Sequence, residues 1–126
     1  MHKSKLAGFI IDCQSEDLNG AADFWGHALG MPVHTLPPAE SGRYMRLEDR
    51  QHGLHVEVQI VGHPSRVHLD IETDDIEAEV QRLEKLGAKR IREISRWWVM
   101  EAPTGQRFCV VRASSPDFDR LATEWQ

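Results

Sequence analysis

Residues 67–88 read VHLDIETDDIEAEVQRLEKLGA, and two periodicities meet inside them. Val67, Leu69 and Ile71 alternate with His68, Asp70 and Glu72, the period of two expected of a half-buried strand. From Ile76 onward the spacing becomes helical, with Ile76, Val80, Leu83 and Leu86 on one face. Asp74 or Asp75 is placed to cap that helix, and Gly87 to close it. Beyond it, Lys89–Ile94, Trp97–Glu101 and Arg107–Val111 read as short strands, with Pro103-Thr104-Gly105 turning the last hairpin. The order is strand, helix, three strands.

The same order stands upstream. Leu6–Cys13 is a β-rich run, and Asp17 or Ser15 can cap a helix carrying Leu18, Ala21, Ala22, Trp25, Ala28 and Leu29. Phe24 and Trp25 of that helix are most simply core residues, and Gly30 ends it. Three strand-like runs follow, Met31–Leu36, Arg43–Leu47 and Leu54–Val61. Pro37, Pro38, Ser41 and Gly42 break the first from the second, and residues 49–53 break the second from the third. Ile10-Ile11-Asp12 lines up with His68-Leu69-Asp70 at an offset of 58 residues, which also carries Asp17 onto Asp75. A unit repeated across half a chain is a duplication, and each copy needs a neighbour to bury its sheet. The expectation is one domain over 1–126: module one over about 6–61, module two over about 66–112, and a tail, 113–126. In the tail, Phe118, Leu121, Ala122 and Trp125 sit at helical spacing.

Composition narrows the function classes. The chain has 126 residues with 15 Lys plus Arg against 20 Asp plus Glu, a net charge of −5 that argues against a phosphate-backbone partner. Cys13 and Cys109 are too few for a disulfide scaffold, and both lie in apolar runs where a reduced thiol is expected. The apolar run after the charged first residues is too short for a signal peptide or a membrane span, which makes cytoplasmic residence the expectation. No Gly-rich phosphate loop and no Ser-His-Asp pattern is present.

Three segments resemble the glyoxalase / bleomycin-resistance / extradiol-dioxygenase superfamily, the vicinal oxygen chelate proteins. They are residues 67–88, the closing stretch WWVMEAPTGQRFCVV (97–111), and EDLNGAADFWGHALGM (16–31). The resemblance implies an α+β fold of two tandem βαβββ modules in a cupped, eight-stranded mixed sheet, with helices outside and a ligand cavity on the concave face. It also implies a homodimer. Metal-dependent members take ligands from the first and last strand of each module. Those positions here resemble Ile10, Glu57, His68 and Cys109, with Gln59 competing for Glu57. Ile10 cannot bind a metal.

His68 shares a strand face with two acids, so it is either a ligand whose tautomer a carboxylate fixes, or a cavity or structural histidine. Glu57 lies on the face of His55 and Gln59, which either is solvated or lines the cavity. Cys109 is a thiolate ligand suited to zinc in a Glu57–His68–Cys109 set, or else a small buried hydrophobe. Period two puts His52 and His55 on opposite faces, which counts against joint ligation. Trp97 or Trp98 offers a flat wall to a ligand, the other being core, and Arg43 and Met45 join Trp97 as pocket candidates. An enzyme on this plan would use a divalent Zn, Ni, Mn or Fe ion in lyase, isomerase or dioxygenase chemistry, with Glu57 or Asp70 as base and His68 as anchor. The alternative is a metal-free protein that binds or sequesters a small organic molecule.

Overall fold

The computed structural model describes residues 1–34 and 43–126. The chain divides into two compact units, Gly8–Val67 and a second one built from Met1–Ala7 with His68–Gln126. The fold is α+β, and the βαβββ order expected from sequence is found in both copies. The Pro37-to-Gly42 break and the last two residues of the run Met31–Leu36 lie outside the described residues.

The first strand, β1 (His2–Gln14), supplies residues to both units. In the Gly8–Val67 unit its later part runs parallel to β4 (His55–Val61), with Ile10 opposite Glu57 and Asp12 opposite Gln59. β4 then pairs antiparallel with β3 (Tyr44–Glu48), and β3 with β2 (Val33–His34). A parallel pair needs a crossover, here containing α1 (Leu18–Leu29). Asp17 is the N-cap, accepting from the Gly20 amide at 2.9 Å, and Gly30 closes the helix in the left-handed region at φ 69°. Ile11, Leu47, Val56 and Val58 form the buried core, against which Phe9, Leu18, Ala21 and Trp25 pack. Trp25 is core as expected, but Phe24 is 62% exposed and only leans its ring edge on Trp25. One helical step of 100° separates the two side chains, and only one of them can meet the sheet.

The other unit repeats the plan. β5 (Arg66–Thr73) runs parallel to β8 (Arg107–Arg112), which pairs antiparallel with β7 (Trp97–Glu101), and β7 with β6 (Lys89–Ile94). Its helix α2 (Ile76–Lys85) is capped by Asp75 rather than Asp74. Val80, Leu83, Met100 and Val110 form its core, joined by Ile71, Ile76, Trp98 and Phe108. Leu86, at the end of the helix face, is exposed because the helix stops there.

The tail departs from the helical expectation. A single turn, α3 (Phe118–Leu121), gives way to a ninth strand, β9 (Thr123–Trp125), antiparallel to the start of β1. Trp125 explains the switch. Its indole donates to Ser4 Oγ at 2.8 Å and its ring lies 3.8 Å beneath the Arg82 guanidinium, positions an extended backbone reaches. Arg82 in turn makes two 2.8 Å bonds to the fully buried Glu79, which also takes a bond from His2. Burial alone would push the Glu79 carboxyl up, but hydrogen bonds from Arg82, His2 and Ser4 and the Arg82 charge hold it below the usual carboxylate range.

Candidate metal centre

The site follows from parity and register. His68 and Asp70 stand two apart on β5 and so share a face, while Ile71 turns to the helix core. On the neighbouring strand Cys109 lies directly opposite Asp70, and its flanking residues Phe108 and Val110 take the core side. The alternation that buries one face against α2 therefore collects three donors on the other. A ring nitrogen of His68, a carboxylate oxygen of Asp70 and Sγ of Cys109 all lie within 4.8 Å of one another. His68 Nε2 stands 3.6 Å from Asp70 Oδ1, too long for a hydrogen bond, and each of these side chains keeps 14% of its surface accessible.

The donor chemistry fits a zinc-class ion. Imidazole nitrogen, carboxylate oxygen and thiolate sulfur are accepted together by zinc, and three protein donors leave a fourth tetrahedral position for a substrate or water. Ions that demand an all-oxygen shell are poorly served by a thiolate.

The remaining candidates are distributed as follows. Glu57 lies in the Gly8–Val67 unit, hydrogen-bonded to His55 and opposite Ile10 and Arg46. Among the described residues the donor cluster is His68–Asp70–Cys109, with Asp70 where the sequence reading set Glu57. Parity between Asp70 and His68 was the available signal. Arg43 donates to the Ile60 carbonyl at 3.3 Å, and Met45 lies opposite the core residue Val58. The β3 residues on the Glu57 face are instead Tyr44 and Arg46, because strand parity runs through buried Leu47. His52 belongs to a turn organised by Asp49, whose carboxylate accepts from the amides of Gln51, His52 and Leu54. Burial raises the Asp49 carboxyl, yet those amides and the nearby His52 charge bring it below its ordinary value.

The two tryptophans of β7 separate as alternation requires. Trp98 belongs to the core, with Arg90 stacked at 5.1 Å, while Trp97 shares its face with Val99, directly opposite Cys109. Cys13, by contrast, is a packing thiol of the other core, pushed up by burial and by the Asp12 charge. A hollow of about 280 Å³ beside β3, lined by His34, Arg46, Glu48, Asp49 and Leu54, lies in the unit without the donor cluster.

Comparison with known proteins follows the same lines. The sequence profile of the glyoxalase-like domain matches residues 8–111. A hypothetical protein of Bacillus halodurans is similar in fold, with a TM-score of 0.63 at 14% identity over 88% of this chain and 96% of that one. Methylmalonyl-CoA epimerase of Mycobacterium tuberculosis is similar with a TM-score of 0.63 at 15% identity, covering 86% and 88%. A Streptomyces coelicolor methylmalonyl-CoA epimerase variant in complex with 2-nitronate-propionyl-CoA gives 0.56 at 20% identity, covering 87% and 98%. No curated protein sequence matches the chain significantly. With both βαβββ copies in place and the profile spanning them, this chain belongs to the glyoxalase-like domain family of the vicinal oxygen chelate superfamily.

Proposed function

We propose that the protein is a metal-assisted enzyme acting on a small carbonyl-bearing organic molecule, with one divalent ion of the zinc class held by His68, Asp70 and Cys109. The observation that carries this reading is the convergence of three different donor atoms within 4.8 Å on one sheet face. When bound, such an ion supplies Lewis-acid polarisation of a substrate oxygen. The chain's own part is to position and to move a proton. A carboxylate needs to spend only one oxygen on the ion, so Asp70 can take a substrate proton on the other. Trp97 and Val99 give the substrate carbon skeleton an apolar seat beside the donors.

Lyase and isomerase chemistry come first on this reading. The similar epimerases act on a thioester, and the thiolate in the donor set suits zinc. Iron at the same donors would move dioxygenase chemistry to the front. A second reading, metal-free binding of a small molecule, is favoured by Ile10, a buried aliphatic side chain at a position for which the family resemblance implies a ligand. We propose a cytoplasmic homodimer as the working form, with sedimentation at micromolar concentration as its check.

Metal analysis of chelator-free, tag-free protein is the test. About one zinc or iron per chain, lost in both His68→Ala and Cys109→Ser while folding persists by circular dichroism, supports the enzyme reading. Wild type that stays metal-free after supplementation overturns it in favour of the binding reading.

A further inference from the structure

Strict alternation along β6 would place Arg90 and Arg92 on one face. They are not there together. Arg90 lies opposite Met100 and Arg92 opposite Val99, so two residues of β6, Ile91 and Arg92, meet a single slot of β7. The face of Arg90 is identified by its partners: its guanidinium binds Glu77 and Glu84 of α2 and stacks on Trp98. Arg92, in register with Val99, is on the other face, that of the donor cluster. A β-bulge that inserts one residue reverses the direction of every side chain after it, and this one re-aims an arginine.

The consequence is a continuous row across four strands: Asp70, Cys109, Val99, Arg92. At about 4.8 Å per strand, the Cα of Arg92 stands roughly 10 Å from that of Cys109. A side chain of about 6–7 Å spans most of that gap, on chain geometry. Arg107, also on this face, is paired with Glu101 at 3.2 Å, whereas Arg92 is exposed and makes no ion pair among the described residues. Val99 and Trp97 floor the interval with apolar surface.

We propose that Arg92 is a specificity residue that selects an anionic substrate, a small carboxylate whose carbonyl or hydroxyl oxygen meets the His68–Asp70–Cys109 end while its carboxylate pairs with the Arg92 guanidinium. This rests on the reading of the donor cluster given above. The acid and its neutral ester differ at the Arg92 end alone, so the bulge sets charge selectivity and the donor cluster does not.

Calorimetric titration with 4-oxopentanoate and its methyl ester tests this, using wild type, Arg92→Gln, Arg92→Lys and the control Arg112→Gln, with metal content measured on the same samples. The expected result is at least a tenfold preference for the acid in wild type and in Arg112→Gln. That preference falls to about one in Arg92→Gln with ester affinity and metal content unchanged, and Arg92→Lys recovers part of it. No acid preference in wild type, or one that survives Arg92→Gln, overturns the assignment. Metal-free samples that still discriminate through Arg92 would sink the metal-assisted reading and leave this one standing. Metal-bound samples without discrimination would do the reverse.

Discussion

The two units carry one module plan but fill its key slot differently. In the Gly8–Val67 unit the first and last strands set Ile10 opposite Glu57, and in the other unit they set Asp70 opposite Cys109. Two residues before each stands Gly8 or His68. At Gly8 a side chain is excluded, since a Cβ would come 1.8 Å from the His55 carbonyl oxygen. At His68 the same strand position holds an imidazole with access to solvent. One copy has closed its strands over the slot, and the other has kept it open and furnished it with donors. Duplication supplies the scaffold twice; among the described residues the three-donor cluster stands in one copy.

The most forceful way to break this comparison is at the donors. His68→Ala should lower zinc affinity at least about a hundredfold, read by competition with a chromogenic chelator, because three donors would become two. Retention of full affinity would place the ion elsewhere. In the closed copy, Gly8→Ala should destabilise by about 3 kcal/mol or more in urea unfolding, since β1 and β4 must part to admit the methyl group. A loss under about 1 kcal/mol would mean that the slot yields more easily than its geometry shows.

Glu79 sharpens the contrast from the side of stability. Glu79→Gln should cost about 2 kcal/mol by weakening charge-assisted bonds to Arg82 and His2. Its pH signature has a definite sign. The folded carboxyl lies below its ordinary value, so its contribution is complete above the unfolded pKa and is lost as pH falls through the folded one. Wild type should therefore lose stability below about pH 4.5 more steeply than Glu79→Gln, measured by thermal melts across pH 3–7. The smallest effect is expected at Ser95, a serine held at φ 54° in the two-residue turn between β6 and β7. Ser95→Gly should stabilise by about 0.5–1 kcal/mol through relief of that conformation.

Much of this was legible in the residues. Strands β6 and β7 fall where Lys89–Ile94 and Trp97–Glu101 were read, because their punctuation is local: a two-residue turn and a Pro-Thr-Gly break. Asp17 and Asp75 are the caps, each one of two candidates read for its helix, since an N-cap is recognised by its own side chain and the next three amides. What escaped was long-range. Glu79 looks like a surface residue until Arg82 and His2 are brought to it, from three residues and 77 residues away. The β6 bulge has no composition signal, and it alone reverses Arg92. The tail resembles a helix by spacing, and only the indole of Trp125 on Ser4 and Arg82 makes it a strand. In the candidate site, parity brought His68 and Asp70 together correctly. Glu57 follows from the resemblance to the family's ligand positions, whereas among the described residues it is Asp70 that joins His68 and Cys109.

The pairing of β9 with the start of β1 has a temporal consequence. It joins His2 to Trp125, so one unit draws on two separate stretches of chain while the other is a single continuous run, Gly8–Val67. During synthesis the continuous unit can close on itself long before the second stretch of its partner exists. The interrupted unit must keep Met1–Ala7 waiting, first for Thr73, Asp74 and Glu79 about seventy residues later and at last for β9 at the end of the chain. In a chain whose other three tryptophans are replaced by phenylalanine, the emission of Trp125, half-buried against Ser4 and Arg82, would time that last step of assembly.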